Sequence, residues 1–184
     1  MPHLAEIIAV GAELTSGAKL NTNCQWLSAE LSDLGIVTGW HTTITDDLAI
    51  NVSALQLAIE RADLVLITGG LGPTLDDLTR DALAKLVGEE LVLHPESLEL
   101  IETYFRNRGR PMPERNRIQA YFPKSGIPLP NPVGTAPGVW MQIPRAGRSD
   151  CLVGAMPGVP SEMYRMFRHE VIPRLPGRER IILK

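Results

Sequence analysis

The feature that most constrains the fold is a buried strand followed at once by a glycine-rich turn and a helix. Residues 64–68 are a continuous aliphatic run, which is typical of a strand covered on both faces. Gly69 and Gly70 end this run, and a helix is predicted over 77–87. The preceding residues repeat the alternation, with predicted strands over 4–10 and 36–41 and predicted helices over 22–34 and 48–62. The pattern predicts an α/β domain with an open, mostly parallel sheet between two layers of helices.

The second half of the chain is less regular. Helices are predicted over 95–108, near 114–121 and over 160–175, and a pair of strands over 139–143 and 151–154. The segment 110–138 is rich in proline and glycine, which indicates loops. We therefore predict a small extension of strands and loops on one three-layer domain spanning 1–176. Residues 177–184 are predicted to be a tail or the start of a linker.

Charge and cysteine usage exclude several classes of function. The formal net charge is −3, which gives no field that would attract nucleic acid or an anionic membrane. The two cysteines and four histidines are scattered, which disfavours a zinc site or a disulfide framework. There is no signal-peptide pattern, and no apolar stretch reaches the roughly 18 residues of a membrane span. We expect a soluble, cytoplasmic protein with neither a nucleic-acid nor a membrane partner.

The segment GGLGPTLDDLT at 69–79 carries the strongest chemical signal. Glycines let backbone N–H groups approach a ligand, and the start of a helix attracts anions. Adjacent carboxylates would repel a phosphate unless a cation lay between them, so a divalent, oxygen-liganded metal (Mg, Mn or Co) is predicted. The alternative is that Asp77 or Thr74 only caps the helix. The candidate phosphate ligands in this segment are Gly69, Gly70, Gly72 and Thr74.

Three more carboxylates follow the first two predicted strands and should reach the same edge of the sheet. Glu13 follows the first strand, and Asp46 and Asp47 follow the second. N-capping would explain one of these aspartates, but five carboxylates in one cleft suggest cation binding. The predicted metal ligands are Asp46, Asp47, Asp76 and Asp77. The predicted catalytic residues are Asp76, Asp77 and Glu13.

Other polar and turn residues are weaker candidates for the substrate or phosphate site. They could equally be helix caps or turns. These candidates are Asn23, Asn131, Gly134, Thr135, Pro157 and Gly158. Five arginines between 106 and 117 are either a solvated surface or include one or two that clamp a phosphate or carboxylate, namely Arg106, Arg108, Arg110, Arg115 and Arg117.

Taken together, these motifs resemble the amino-terminal domain of CinA-type proteins, within the wider MoaB/MogA-like molybdopterin-binding fold. The matching segments lie in family order at 11–23, 69–79, 109–120, 131–138 and 156–163. The resemblance implies a molybdopterin-binding-like fold in which acidic residues at the ends of the second and third strands serve nucleotide and metal chemistry. The matching positions are Asp46 or Asp47, and Asp76 with Asp77. It also implies a homodimer or homotrimer.

The resemblance implies hydrolysis of ADP-ribose as the activity, with a small nucleotide as substrate. Asp76, Asp77 and one of Asp46 and Asp47 would hold one or two divalent ions, and Glu13 would orient the metal or accept a proton. The first alternative is binding of molybdopterin or a nucleotide, with adenylyl transfer, in molybdenum cofactor synthesis. The second alternative is a non-catalytic regulatory domain.

Overall fold

A mixed sheet forms the centre of the molecule in the computed structural model, which describes residues 2–176. Within these residues six strands run in the order β2-β1-β3-β8-β7-β6, and two more form a small separate ribbon, β4-β5. Strands β2, β1, β3 and β8 are parallel, and β7 and β6 extend the sheet antiparallel. The strands are β1 (Leu4–Val10), β2 (Val37–Ile44), β3 (Leu64–Thr68), β4 (Leu91–Leu93), β5 (Tyr121–Pro123), β6 (Ile127–Leu129), β7 (Gly138–Arg145) and β8 (Arg148–Met156).

Helices cover both faces of this sheet, so the α/β class with helices on two sides is confirmed. On one face α2 and α6 bury residues such as Leu27 and Met163 against the strands. On the other face α3 and α4 bury residues such as Leu55 and Leu83. The helices are α1 (Ala12–Thr15), α2 (Thr22–Asp33), α3 (Leu48–Arg61), α4 (Thr79–Val87), α5 (Pro95–Arg106) and α6 (Pro160–Met166).

Several element boundaries differ from those that the sequence predicts. Helix α4 begins at Thr79 instead of residue 77, so the paired aspartates before it lie in the loop. The last helix is α-helical only to Met166 and continues as a π-helical segment, Phe167–Val171, and a short 3-10 helix, Ile172–Arg174. Strand β2 runs on to Ile44. These differences arise because hydrogen bonds set the ends of elements, whereas periodicity reports only their middles.

The segment 110–138 contains two short strands in addition to the helix predicted near 114–121. That helix is a 3-10 helix, Glu114–Ala120, and β5 and β6 have three residues each, as does β4 before α5. Strand β6 is an edge strand and contains Pro128, which has no N–H group to donate. Strands this short leave no alternation in the sequence to detect. The predicted tail, 177–184, lies outside the described residues.

Among residues 2–176, none of the helices combines the length and the apolar character that crossing a bilayer requires.

Candidate functional site

A cleft of about 580 Å³ opens at the carboxyl ends of the parallel strands. Its walls come from the loops that follow β1, β2, β3 and β8, together with Thr135 and Ala136 before β7. Because parallel strands end at the same edge of a sheet, four separate sequence segments meet here, as in other open α/β sheets. Of the predicted carboxylates, four line this cleft: Glu13, Asp46, Asp76 and Asp77.

The glycine-rich loop is fixed to the first turn of α4. Gly69 and Gly70 have φ angles of +105° and +66°, and a side chain at either position would collide with Val10 or Thr79. The Thr79 hydroxyl donates to the carbonyl of Gly69 at 2.9 Å, and the Thr79 amide donates to that of Gly70 at 3.1 Å. Only glycine suits both positions, because the backbone there is left-handed as well as crowded.

Three successive amides of this loop are left without a partner. Gly70, Leu71 and Gly72 all line the cleft. Within residues 2–176, none of their N–H groups donates a hydrogen bond. Unpaired backbone donors in succession form a concave site for an anion. The predicted phosphate-binding role of Gly70 and Gly72 therefore has a geometric basis, although the pattern of glycines did not single out Leu71.

The buried guanidinium of Arg80 holds this loop from behind. Arg80 is only 2 % exposed, and it donates to the carbonyls of Leu71 at 2.7 Å and Gly72 at 2.9 Å. Gln119 donates a further hydrogen bond, of 3.2 Å, to the Leu71 carbonyl. Two loop carbonyls are thus engaged on the protein side, and a positive charge lies beneath the loop.

Arg80 keeps its charge although it forms no ion pair. Burial lowers the pKa of its guanidinium from the ordinary value, and the nearby carboxylates of Asp77 and Asp81 oppose that shift. Arginine stays protonated in proteins even so. No carboxylate in the described chain comes within 4 Å of it. Arg80 was not among the residues predicted for the site. Its spacing from Leu83 and Ala84, three and four residues later, does place it on the buried face of α4, and this spacing is visible in the sequence.

Asp77 lines the cleft but also holds its own loop. One carboxylate oxygen, Oδ2, accepts from the Thr74 amide at 2.9 Å and from the Thr74 hydroxyl at 2.6 Å. The backbone of Gly72 packs closely against the same carboxylate. The Thr74 amide, a predicted phosphate ligand, is therefore already bonded within the loop. The alternative that Asp77 or Thr74 caps the helix is wrong, because α4 begins at Thr79 and its N-cap, Leu78, has no side-chain hydrogen bond.

Asp46 and Asp47 have different positions although they are adjacent. Asp46 faces the cleft and accepts from the Ala12 amide at 2.8 Å, which ties the loop after β2 to that after β1. Asp47 does not line the cleft; it is the N-cap of α3, and its carboxylate accepts from the Ile50 amide at 2.9 Å. Of this predicted pair of metal ligands, the structure brings only Asp46 to the site.

Asp76 and Glu13 are the carboxylates of the cleft that have the fewest contacts with other residues. Asp76 is exposed and, within the described residues, has no hydrogen-bond donor or cation in contact. The carboxylate of Glu13 is 3.8 Å from the ammonium group of Lys19, at the cleft wall. Across residues 2–176, no three side chains of Asp, Glu, His or Cys lie close enough together to hold a metal ion. The four predicted ligands do not form a closed metal cage.

Asn23 connects helix α2 to the loop that follows β8. Its side-chain amide donates to the Thr68 hydroxyl and to the Gly158 carbonyl, both at 2.9 Å. The Thr68 hydroxyl in turn donates to the Pro157 carbonyl at 3.1 Å. The Asn23 side-chain oxygen is buried without a partner among the described residues, which is costly for a polar atom. Pro157 and Gly158 line the cleft, as predicted for ligand-binding positions, and Asn23 lines a smaller pocket beside it.

A second connection joins the segment before β7 to α6. The Asn131 amide donates to the Glu162 carboxylate at 2.7 Å and to the Ala136 carbonyl at 3.0 Å. Gly134 packs against both side chains so closely that no Cβ would fit. Glu162 and Thr135 line the cleft, whereas Asn131 and Gly134 line an adjoining groove. Glu162, which the sequence analysis did not single out, is thus part of the wall between these two spaces.

The remaining reactive and basic side chains lie away from the cleft. Burial raises the pKa of the Cys24 thiol, and it raises that of Cys151 to about 12, so neither is a thiolate nucleophile at neutral pH. None of the five arginines between 106 and 117 lines the cleft. Arg108 stacks on the Tyr104 ring at 3.5 Å, and Arg106 donates to Thr103.

Comparison with known proteins gives one family. A family model described as "Probable molybdopterin binding domain" matches residues 6–177. A CinA-like protein of Thermomicrobium roseum is 45 % identical over 171 residues, which cover 93 % of this chain and 41 % of that protein. A CinA-like protein of Deinococcus radiodurans is 45 % identical over 173 residues, covering 94 % and 43 %. The chain thus spans about two-fifths of the length of these relatives.

Solved structures agree with the sequence relatives. CinA from Thermoplasma acidophilum is 34 % identical with a TM-score of 0.79, and the match covers 90 % of this chain and 94 % of that one. MoaB from Thermus thermophilus, a molybdopterin biosynthesis enzyme, is 20 % identical with a TM-score of 0.61, covering 95 % and 92 %. The second likeness concerns the fold alone.

Proposed function

Because the chain belongs to the family of CinA-like proteins with a molybdopterin-binding-type domain, we propose that its cleft binds the phosphate-bearing end of a pterin or nucleotide. The resemblance noted in the sequence is confirmed at the level of family and fold. The observation that carries the proposal is the row of unpaired amides at Gly70, Leu71 and Gly72 above the buried charge of Arg80. Amides and a fixed positive charge together recognise an anion.

The carboxylates at the mouth of the cleft narrow the choice of anion. Asp76 and Glu13 would repel a bare phosphate, and Lys19 offers one compensating cation. Mg²⁺ that enters with a diphosphate needs only one or two protein carboxylates, since phosphate oxygens and water fill its other positions. The absence of a three-carboxylate cage among the described residues suits such a ligand. We therefore expect the Mg²⁺ complex of a phosphorylated compound to bind more tightly than the free anion.

The reaction that best fits the family is substitution at a nucleotide phosphorus. In adenylyl transfer, a phosphate oxygen of a pterin bonds to the α-phosphorus of ATP, and pyrophosphate leaves. The amides of the glycine-rich loop would stabilise the charge that develops on the phosphate oxygens. Asp77 and Arg80 contribute by keeping the loop in the shape that exposes those amides.

A second candidate is hydrolysis of ADP-ribose, favoured by the free carboxylates of Asp76 and Glu13 at the cleft. Here a water oxygen bonds to one phosphorus and the bridging P–O bond breaks, giving AMP and ribose 5-phosphate. The water proton would pass to one of these carboxylates, since no described residue donates a hydrogen bond to Asp76 and the Lys19 ammonium group is 3.8 Å from Glu13.

One set of incubations separates these reactions. The purified chain is incubated with ATP plus a pterin phosphate and, separately, with ADP-ribose, each with Mg²⁺, Mn²⁺, Co²⁺ or EDTA. Pyrophosphate release identifies transfer, and AMP with ribose 5-phosphate identifies hydrolysis. Asp76→Asn should lower the rate by about a hundredfold or more. Asp47→Asn is the matched control, because that side chain caps α3 outside the cleft.

Two further outcomes would change the proposal. If calorimetry detects binding of the Mg²⁺ complexes but no turnover occurs, the chain is a regulatory binding domain and not an enzyme. If neither ATP, ADP-ribose nor a pterin phosphate binds with any of the metals, the cleft is not a phosphate site and the proposal is wrong.

A further inference from the structure

A second concave surface adjoins the cleft and lies outside the phosphate site proposed above. It is a groove of about 480 Å³ between helix α5 and the segment 127–137. Helix α5 contributes Leu100, Ile101 and Tyr104, and the facing segment contributes Ile127 and several prolines. The groove is mainly apolar, and its volume is within the range of small-molecule pockets.

The groove and the cleft are separated by a thin wall. Thr135 lines both spaces. Asn131 and Gly134 line the groove and contact Glu162, whose other neighbours are in the cleft. The two spaces therefore meet at Thr135, so a ligand bound against the glycine-rich loop has the groove next to it.

The walls of the groove suit a flat ring with polar edges. Tyr104 is held in place by Arg108 stacked on its ring at 3.5 Å and by Phe105 at 5.8 Å between ring centres. Aromatic and proline side chains offer flat apolar surfaces at little entropic cost. At the polar edge, His94 uses Nδ1 to accept from the Ser97 amide, while its Nε2 and the Asn107 side chain contact no partner within the described residues.

We propose that this groove binds the planar heterocycle, purine or pterin, of the ligand whose phosphate occupies the cleft. The proposal rests on the phosphate-binding function proposed above, since the ring is placed by its connection to the cleft. It assigns the specificity of the protein to helix α5, outside the glycine-rich loop and the carboxylate-bearing loops of the cleft. A ring packed against the proline segment, beside Tyr104 and the Arg108 guanidinium stacked on it, would present its edge nitrogens to His94 and Asn107.

The two subsites are tested with separate probes, so that either can fail alone. Adenosine and an unphosphorylated pterin report on the groove, and Mg²⁺–pyrophosphate reports on the cleft, each titrated into ¹⁵N-labelled full chain. At least one ring compound should shift the amide signals of Leu100, Ile101 and Tyr104. Pyrophosphate should shift those of Gly70 and Gly72 instead. If pyrophosphate shifts neither, the proposed function fails irrespective of the groove.

A pair of exposed leucines provides the matched variants. Leu100 lines the groove and is 58 % exposed, whereas Leu57 lies on α3, away from it, and is 51 % exposed. Leu100→Trp should occupy the groove volume that the ring needs and weaken binding of the ring compound by at least about tenfold, with pyrophosphate binding unchanged. Leu57→Trp should change neither.

Three results would overturn the groove proposal. The first is that neither ring compound moves the α5 signals. The second is that Leu100→Trp binds the ring compound as the unaltered chain does. The third is that light scattering shows an oligomer which Leu100→Trp dissociates, because the groove would then be an interface between copies of the chain.

Discussion

The carboxylates at the two ends of the same sheet differ in burial and in pairing. At the amino end, Glu6 is fully buried and accepts two hydrogen bonds of 2.7 Å from Arg61 and one of 2.6 Å from Thr42. At the carboxyl end, Asp76 has no partner in the described chain, and Glu13 has only Lys19 at 3.8 Å. A carboxylate at one end belongs to the core, and at the other it faces the cleft.

The difference shows how to separate structural from ligand-binding charges in this fold. A buried charge must be paired, because leaving it alone in the interior costs several kcal/mol. An exposed charge in a cleft can remain unpaired in the free protein, because water solvates it until a counter-ion binds. Variants at the amino end should therefore change stability, and variants at the carboxyl end should change ligand binding.

The largest expected effect is at the amino end. Arg61→Met leaves the Glu6 carboxylate buried without its cation, and we expect the free energy of unfolding to fall by about 3 kcal/mol in urea denaturation. Phosphate-ligand binding should not change. Adding Glu6→Gln to this variant should restore most of the loss, and an unaltered urea midpoint in the single variant would contradict the account.

Substitution of Arg80 should affect both the stability of the protein and its ligand binding. Arg80→Met removes the donors to the Leu71 and Gly72 carbonyls, and we expect a loss of about 2 kcal/mol of stability. Affinity for Mg²⁺–pyrophosphate, measured by calorimetry, should fall by about tenfold, which corresponds to about 1.4 kcal/mol. Arg80→Lys keeps the charge but lacks the paired N–H donors of the guanidinium, so it should recover only part of the lost stability and affinity. Normal pyrophosphate binding by Arg80→Met would refute its role beneath the loop.

Acid should weaken the amino end at Asp63. Burial alone would raise the pKa of Asp63, but hydrogen bonds from the His3 amide and the Arg145 guanidinium outweigh it and lower the pKa. A lowered folded-state pKa contributes stability above the unfolded value of about 3.9, and that stability is lost as pH falls through the folded value.

The size of this acid effect is small because Asp63 is partly exposed. We expect at most about 1 kcal/mol. Asp63→Asn should be less stable than the unaltered chain at pH 7, and the gap between their melting temperatures should narrow below pH 4. A gap of equal size at pH 7 and pH 3 would contradict this assignment.

The smallest expected effect is at the open carboxylate of the cleft. Asp76→Asn should change the free energy of unfolding by no more than about 0.5 kcal/mol, because no described residue bonds to this side chain. Asp77→Ala is the comparison, since it removes both hydrogen bonds to Thr74 and should cost about 1 kcal/mol. If Asp76→Asn proves the more destabilising in thermal melts, the carboxylate has a structural role that the contacts do not show.

The sheet edge and most of the cleft could be predicted from the sequence. Buried strands are visible as aliphatic runs, and parallel strands place all their following loops at one edge, so Glu13, Asp46 and Asp76 were expected to meet. That inference needs only strand order and direction, and it does not depend on side-chain contacts.

What each side chain does at that edge could not be predicted. Asp47 and Asp77 have the same residue type as Asp46 and Asp76, yet their oxygens bond to local amides. An aspartate at a strand end suits a cap and a ligand site equally, and only the backbone conformation decides between them. The spacing of Arg80 from Leu83 and Ala84 indicates that it is buried, but nothing in the sequence indicates that its guanidinium bonds to loop carbonyls.

The two edge strands of the sheet differ in how readily a strand from another molecule could pair with them. Strand β6 has three residues and contains Pro128, so its outer side offers little for another backbone to pair with. Strand β2 has eight residues, and within the described chain its outer side pairs with no strand. Exposed hydrogen-bonding edges are where sheets recruit additional polypeptide. Any intermolecular strand exchange or edgewise aggregation of this fold should thus proceed from the β2 side, and a proline placed there would act as a gatekeeper.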